Sequence, residues 1–283
     1  MKRIPVWTAG AAIAASALLG ACSTTPFGEP AGAPTTTAGR PAETALKGYL
    51  SHETVSRLAE GVPAPFADGS VEQVADRALS DRYRALESSD RWLLATAHAE
   101  LSPELARQHF DCTLGVRFAA TPTPRLSAIL DRLLHDANDA AELAKSRAFR
   151  PRPVGVDLER PACVRLTDAG RRSPSYPSGS ASVGAAYGEA MAALDPAHPD
   201  QARALGHQIG VSRIVCAMHY PQDVAVGETL GRAVFAEAVG TPAFRADIEA
   251  ARLELAEVRR TGLTNPGCIA ERAALAMPLP LAR

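Results

Sequence analysis

The sequence predicts an all-α fold, and three observations carry that expectation. Alanine dominates, aromatic residues make up only 5%, and runs of Val, Ile and Thr are rare, a balance that favours helix over sheet. Segment after segment opens on a capping residue or proline and continues with apolar residues at helical spacing. No stretch alternates apolar and polar residues convincingly, as a half-buried strand would. With 283 residues and 46% hydrophobic content, the chain can form one large domain with a sizeable core.

Taken in order, helices are expected at about 71–79 and 84–99. Ser102-Pro103-Glu104 then supplies an N-cap, a first-position proline and a first-turn acid for the segment "LARQHFDCTLGVRF". Thr123-Pro124 opens a long segment through Phe149, with Leu126, Ile129, Leu133, Ala137 and Ala141 on one face. Further helices are expected at 182–194, 199–218, 222–238 and 242–260. The folded domain therefore spans 46–260, with a C-terminal tail at 261–283 and no internal repeat.

The first residues are a targeting segment. Lys2 and Arg3 precede the apolar run Val6 to Ala21, which ends in Leu19-Gly20-Ala21-Cys22. That ending resembles a bacterial lipoprotein signal, which makes residues 1–21 a signal peptide and Cys22 the lipidated first residue of the mature chain. An ordinary secretory signal beside a coincidental Cys is the alternative. Ser23 after the Cys resembles lipoproteins sent on to the outer membrane, on the periplasmic side of the envelope. Residues 22–45, rich in Pro, Thr, Gly and Ala, form a tether. No later run has the length and apolarity of a membrane span. Cys112, Cys163, Cys216 and Cys268 remain, and four cysteines in an exported chain suggest two disulfides. Nearness in sequence favours Cys112–Cys163 and Cys216–Cys268. The net charge of −1 gives no reason to expect a nucleic-acid partner.

Three clusters carry chemistry. Lys145 to Arg152, ahead of Pro153, packs four cations into eight residues. Such a cluster suits a helix C-terminus, but its prolines force the chain to extend and make Arg152 project from a rigid loop. Ser175 to Ser182, "SYPSGSAS", could be a linker. Followed at once by "VGAAYGEAMAAL", it also suits a loop whose amides around Ser178, Gly179 and Ser180 hold an anion at a helix start. The third cluster is "GVSRIVCAMHYPQDVAVGE", Gly210 to Glu228. Arg213 and His219 end one helix there, and Asp223 sits in the first turn of the next. A carboxylate at Asp223 can accept from one imidazole nitrogen and leave the other for attack.

In this order the clusters resemble the three-part signature of the phosphatidic-acid-phosphatase type 2 superfamily, whose bacterial class A non-specific acid phosphatases look most similar. The family pattern is K-x6-R-P, then P-S-G-H, then S-R-x5-H-x3-D. The chain has Lys145-x6-Arg152-Pro153 and Ser212-Arg213-x5-His219-x3-Asp223 in full. The resemblance implies a helical bundle, like that of the haloperoxidases of the same superfamily, with a pocket between helices. It implies hydrolysis of small phosphomonoesters with no metal or other cofactor. Lys145, Arg152 and Arg213 would clamp the phosphate oxygens, and Ser178 and the Gly179 amide would complete the cradle. His219 would form a phosphohistidine, oriented by Asp223.

The middle motif departs from the pattern: Pro177-Ser178-Gly179 is followed by Ser180, where the family has the His that protonates the leaving oxygen. A serine hydroxyl donates a hydrogen bond but is no acid near neutral pH. General acid catalysis contributes typically about 10²–10⁴-fold, so the departure predicts an impaired enzyme favouring aryl phosphates. A weak phosphate-binding lipoprotein and a vanadium-dependent haloperoxidase are the alternative readings. His207 lies about three helical turns from His219, too far to replace the missing acid. His52, His98, His109, His135 and His198 belong to no motif.

Overall fold

The computed structural model describes residues 48–280. The predicted signal peptide, the tether and Cys22 lie outside the described residues. Nine helices of eight or more residues occur among them: α1 (His52–Glu60), α2 (Val71–Arg82), α3 (Asp90–Ala97), α4 (Pro124–Lys145), α5 (Gly179–Leu194), α6 (Pro199–Val215), α7 (Pro221–Ala238), α8 (Pro242–Arg260) and α9 (Cys268–Leu275). Among the described residues there is no strand, as the composition predicts.

Helix α5 is the axis of the molecule, packed against α4, α6 and α7. It is buried on almost every side, as its sequence of Ala, Gly, Val and Met dictates. Small residues let its neighbours come close. A Cβ at Gly206 of α6 would lie 2.6 Å from the Gly184 carbonyl oxygen, and one at Gly227 of α7 would lie 2.3 Å from that of Ser178. Both distances are too short for any side chain. One apolar cluster fills the space between α4, α5 and α8, with Leu126, Leu133, Tyr187, Met191 and Phe244. A second, with Leu86, Val154, Val211, Ile214 and Val224, backs the functional residues.

Where observed elements differ from expectation, local chemistry accounts for it. The segment expected at 84–99 breaks, because Ser88 takes a positive φ of 60° before Ser89 caps α3. The segment from Pro103 runs as short turns to Leu114 and stops at Gly115, at φ 64°. Helix α4 stops at Lys145 rather than Phe149, and Pro151 and Pro153 then keep Arg150 and Arg152 out of the helical region. The chain does not trail off after Arg260, because α9 follows and is covalently fastened. The disulfides are Cys112–Cys268 and Cys163–Cys216, correcting the pairing expected from nearness in sequence. Packing decides the partners: α9 lies against α3 and the Asp111–Leu114 turn, and Cys163 reaches the end of α6.

Candidate active site

The site forms where the ends of four segments meet: the C-terminus of α4, the loop that follows it, the start of α5, and the α6–α7 junction. Lys145 is the last residue of α4. The start of α5 lies against it, and a Cβ built on Gly179 would stand 3.6 Å from the Lys145 ammonium and 3.7 Å from Asn138 Oδ1. Ser178 caps α5, its Oγ accepting from the Ala181 amide at 3.2 Å, which leaves the hydroxyl proton for another acceptor. The Ser178 amide donates to the Asp223 carbonyl at 2.9 Å and thereby fastens the loop to α7. Ser180, second residue of α5, is half-buried.

His219 is buried between the motifs. Its Nδ1 lies 2.7 Å from the Ser175 carbonyl oxygen, an acceptor only, so Nδ1 carries the proton and Nε2 the lone pair. Burial pushes its pKa down to about 3, with Arg152 and Arg213 adding to the effect against Asp223. The imidazole is therefore neutral, with its lone pair on Nε2. Asp223 Oδ2 stands 3.6 Å from Nδ1, in ion-pair rather than hydrogen-bond range, and accepts the Tyr220 amide at 2.8 Å. The hydrogen bond that orients the ring thus comes from a backbone carbonyl, with the carboxylate one step behind. Burial works to raise the Asp223 pKa, but His219, Arg150 and the Tyr220 amide outweigh it and hold the group below its ordinary value.

Three cations gather at this site, two of them, Arg152 and Arg213, acting on the ring itself. Arg152 Nη1 lies 3.0 Å from His219 Nε2 and donates to the Met218 carbonyl at 2.9 Å, while its Nε donates to Ser173 Oγ. Arg213 is buried, with one long contact from Nη1 to Cys216 Sγ at 3.9 Å, and its Nε has no hydrogen-bond partner. Among the described residues neither arginine has a carboxylate partner within ion-pair distance. Among the described residues Lys145 pairs with Glu142 alone, at 2.5 Å. Burial lowers the pKa of all three, that of Arg213 to about 10, so each cation gains from a bound anion.

Sequence reasoning missed three participants. Arg150 was visible in the cation cluster, but not as a buried bridge between Asp223 at 2.8 Å and Asp76 at 2.6 Å. Asp76 comes from α2, far away in sequence and without a motif. The Ser175 carbonyl has no side-chain signal at all.

Residues 127–245 match the PAP2 superfamily model, a span that contains all the motifs. The chain is 32% identical over 201 residues to an acid phosphatase of Zymomonas mobilis, covering 71% of this chain and 76% of the relative. It is 31% identical over 219 residues to a non-specific acid phosphatase of Salmonella typhimurium, covering 76% and 86%. A non-specific acid phosphatase of Providencia stuartii is 24% identical over 213 residues, covering 75% and 86%. With a neutral His219 beside the buried Arg152 and Arg213, and with relatives of this kind over most of its length, the chain belongs to the PAP2 superfamily and is a phosphomonoester hydrolase of the acid phosphatase type.

Proposed function

We propose that the enzyme works through a phosphohistidine on His219, and that Cys22 anchors it by lipid to the periplasmic side of the envelope. The observation that carries the mechanism is the pair of buried arginines without carboxylate partners beside a neutral imidazole. Phosphoryl transfer asks mainly for positioning and for charge to be neutralised on the three equatorial oxygens. Lys145, Arg152 and Arg213 supply that charge, and the Ser178 hydroxyl and Gly179 amide, at the positive end of α5, supply neutral donors. Arg152 turns from Nε2 to a phosphate oxygen, which releases the lone pair for in-line attack on phosphorus. The Ser175 carbonyl and Asp223 stabilise the imidazolium character that develops as the P–N bond forms. Ser180 stands where the family pattern has its proton-donating His and can offer the leaving oxygen a hydrogen bond only.

The test is covalent trapping. Wild-type protein quenched in acid-free denaturant during turnover of a radiolabelled aryl phosphate should carry an acid-labile label on His219, and His219→Ala should carry none while keeping its fold. Label persisting in the mutant refutes the nucleophile. For the anchor, the apolar run ending at Cys22 is the support, together with two disulfides that suit an oxidising compartment. Cys22→Ala should move the protein from the membrane pellet to the soluble or unprocessed fraction, and an unlipidated, wholly soluble wild type would contradict it.

A further inference from the structure

We propose that Ser173 is a positioning residue of this enzyme, whose hydroxyl holds Arg152 by Nε and serves as the pivot on which the guanidinium turns from His219 to the substrate phosphate. The proposal rests on the phosphohistidine reading above. Ser173 belongs to none of the three motifs and lies just ahead of Ser175, whose carbonyl orients His219.

The direction of the contact is fixed. Ser173 Oγ stands 2.9 Å from the Gly170 carbonyl oxygen, an acceptor only, so the hydroxyl proton goes there. Its lone pairs are left for Arg152 Nε, at 2.9 Å. Arg152 is only 7% exposed, and Nη1 meets both the Met218 carbonyl at 2.9 Å and His219 Nε2 at 3.0 Å. Of these contacts the one to His219 must break, because attack on phosphorus needs the Nε2 lone pair. With Nε tied to Ser173, that break becomes a turn of the guanidinium about a fixed point. Without the tie, a long side chain has to be ordered again on the phosphate, and that ordering costs entropy.

The pivot is braced from several sides. Thr167 caps the short turn Asp168–Arg172, its Oγ1 accepting from the Gly170 amide at 3.1 Å. Arg171 Nη1 donates to the Val154 carbonyl at 2.8 Å, and a Cβ on Gly155 would stand 2.5 Å from the Arg171 carbonyl oxygen. The turn that carries Ser173 therefore presses on the turn that Arg152 opens. Cys163, upstream in the same segment, is fastened to Cys216 just ahead of His219. Downstream, the Ser175 amide donates to the Arg150 carbonyl at 2.8 Å. Ser173 Oγ and the Ser175 carbonyl thus register the clamp and the nucleophile against one stretch of chain.

The experiment reads binding of inorganic phosphate by calorimetry, which does not depend on turnover. Ser173→Ala removes the acceptor and should weaken binding about tenfold, the size of a lost hydrogen bond to a charged group. It should lower kcat/KM on 4-nitrophenyl phosphate by a similar factor. Ser173→Thr keeps the hydroxyl and should bind phosphate as the wild type does. The deciding comparison adds Arg152→Met, which keeps much of the stem and removes every donor. If Ser173 acts through Arg152, Ser173→Ala changes nothing further in that background. The same tenfold loss there would overturn the proposal, since Ser173 would then act on the anion directly or on the loop as a whole. Wild-type phosphate affinity in Ser173→Ala would overturn it too. Label on His219 from a radiolabelled aryl phosphate reports the phosphohistidine separately. An unlabelled wild type means that the underlying mechanism has failed, while a labelled wild type with independent effects of Ser173 and Arg152 means that the pivot alone has.

Discussion

The Arg150 guanidinium is wedged between the buried carboxylates of Asp76 and Asp223 and lies over the Tyr220 ring, its Cζ 4.2 Å from the ring centroid. It neutralises the charge behind the nucleophile. Its removal leaves two carboxylates in low-dielectric surroundings without a counter-charge, and breaking such buried pairs costs about 3–5 kcal/mol. Arg150→Ala should lower the unfolding free energy by that amount in urea titration and should reduce kcat even where the protein stays folded, because Asp223 shifts. Normal stability would mean that Asp76 and Asp223 find other partners. This residue also shows how far local sequence reaches. Lys145, Arg152, Arg213 and His219 could be picked out because their spacing mirrors a known pattern. Arg150 sits among them in sequence, but its partner Asp76 is delivered by a distant helix, and nothing near Asp76 records that encounter.

Among the elements, the long helices were legible from their periodicity and caps, since both are written within a few residues. The break at Ser88 and the early stop at Gly115 of the segment that starts, as expected, at Pro103 were not, because tertiary packing decides them. The start of α5 depends on one such packing decision. Gly227 of α7 presses on the Ser178 carbonyl, and that carbonyl accepts the first hydrogen bond of α5, from the Ser182 amide at 3.0 Å. Gly227→Ala should push the two helices apart and pull Ser178 and Gly179 away from Lys145. Overpacking of this kind costs typically about 1–3 kcal/mol. We expect a lower Tm together with weaker inhibition by inorganic phosphate. Wild-type inhibition would show that the cradle tolerates the shift.

At the scale of the whole domain, α9 is sewn to the turn that follows α3. Glu271 of α9 is partly buried near Asp111, and burial with that neighbour pushes its pKa up to about 7. The folded state therefore holds this proton more tightly than the unfolded chain, whose glutamates titrate near about 4.3. The stability it contributes is complete in acid and is lost as pH rises through about 7. Glu271→Gln should match wild type in Tm at pH values below the unfolded range and exceed it in mildly alkaline solution. A constant difference at every pH would exclude Glu271 as the source. Composition and charge did not disclose this closure, because the seam exists only once α9 is folded against α3. Its covalent stitch has a consequence for biosynthesis. Cys112 and Cys268 are 156 residues apart, and α4 to α8 lie between them. Cys112 must wait as a thiol until the 156 residues up to Cys268 have emerged, and during that wait Cys163 and then Cys216 become available to it. The nearest-neighbour pairing that the finished fold rejects is therefore the one that vectorial synthesis offers first.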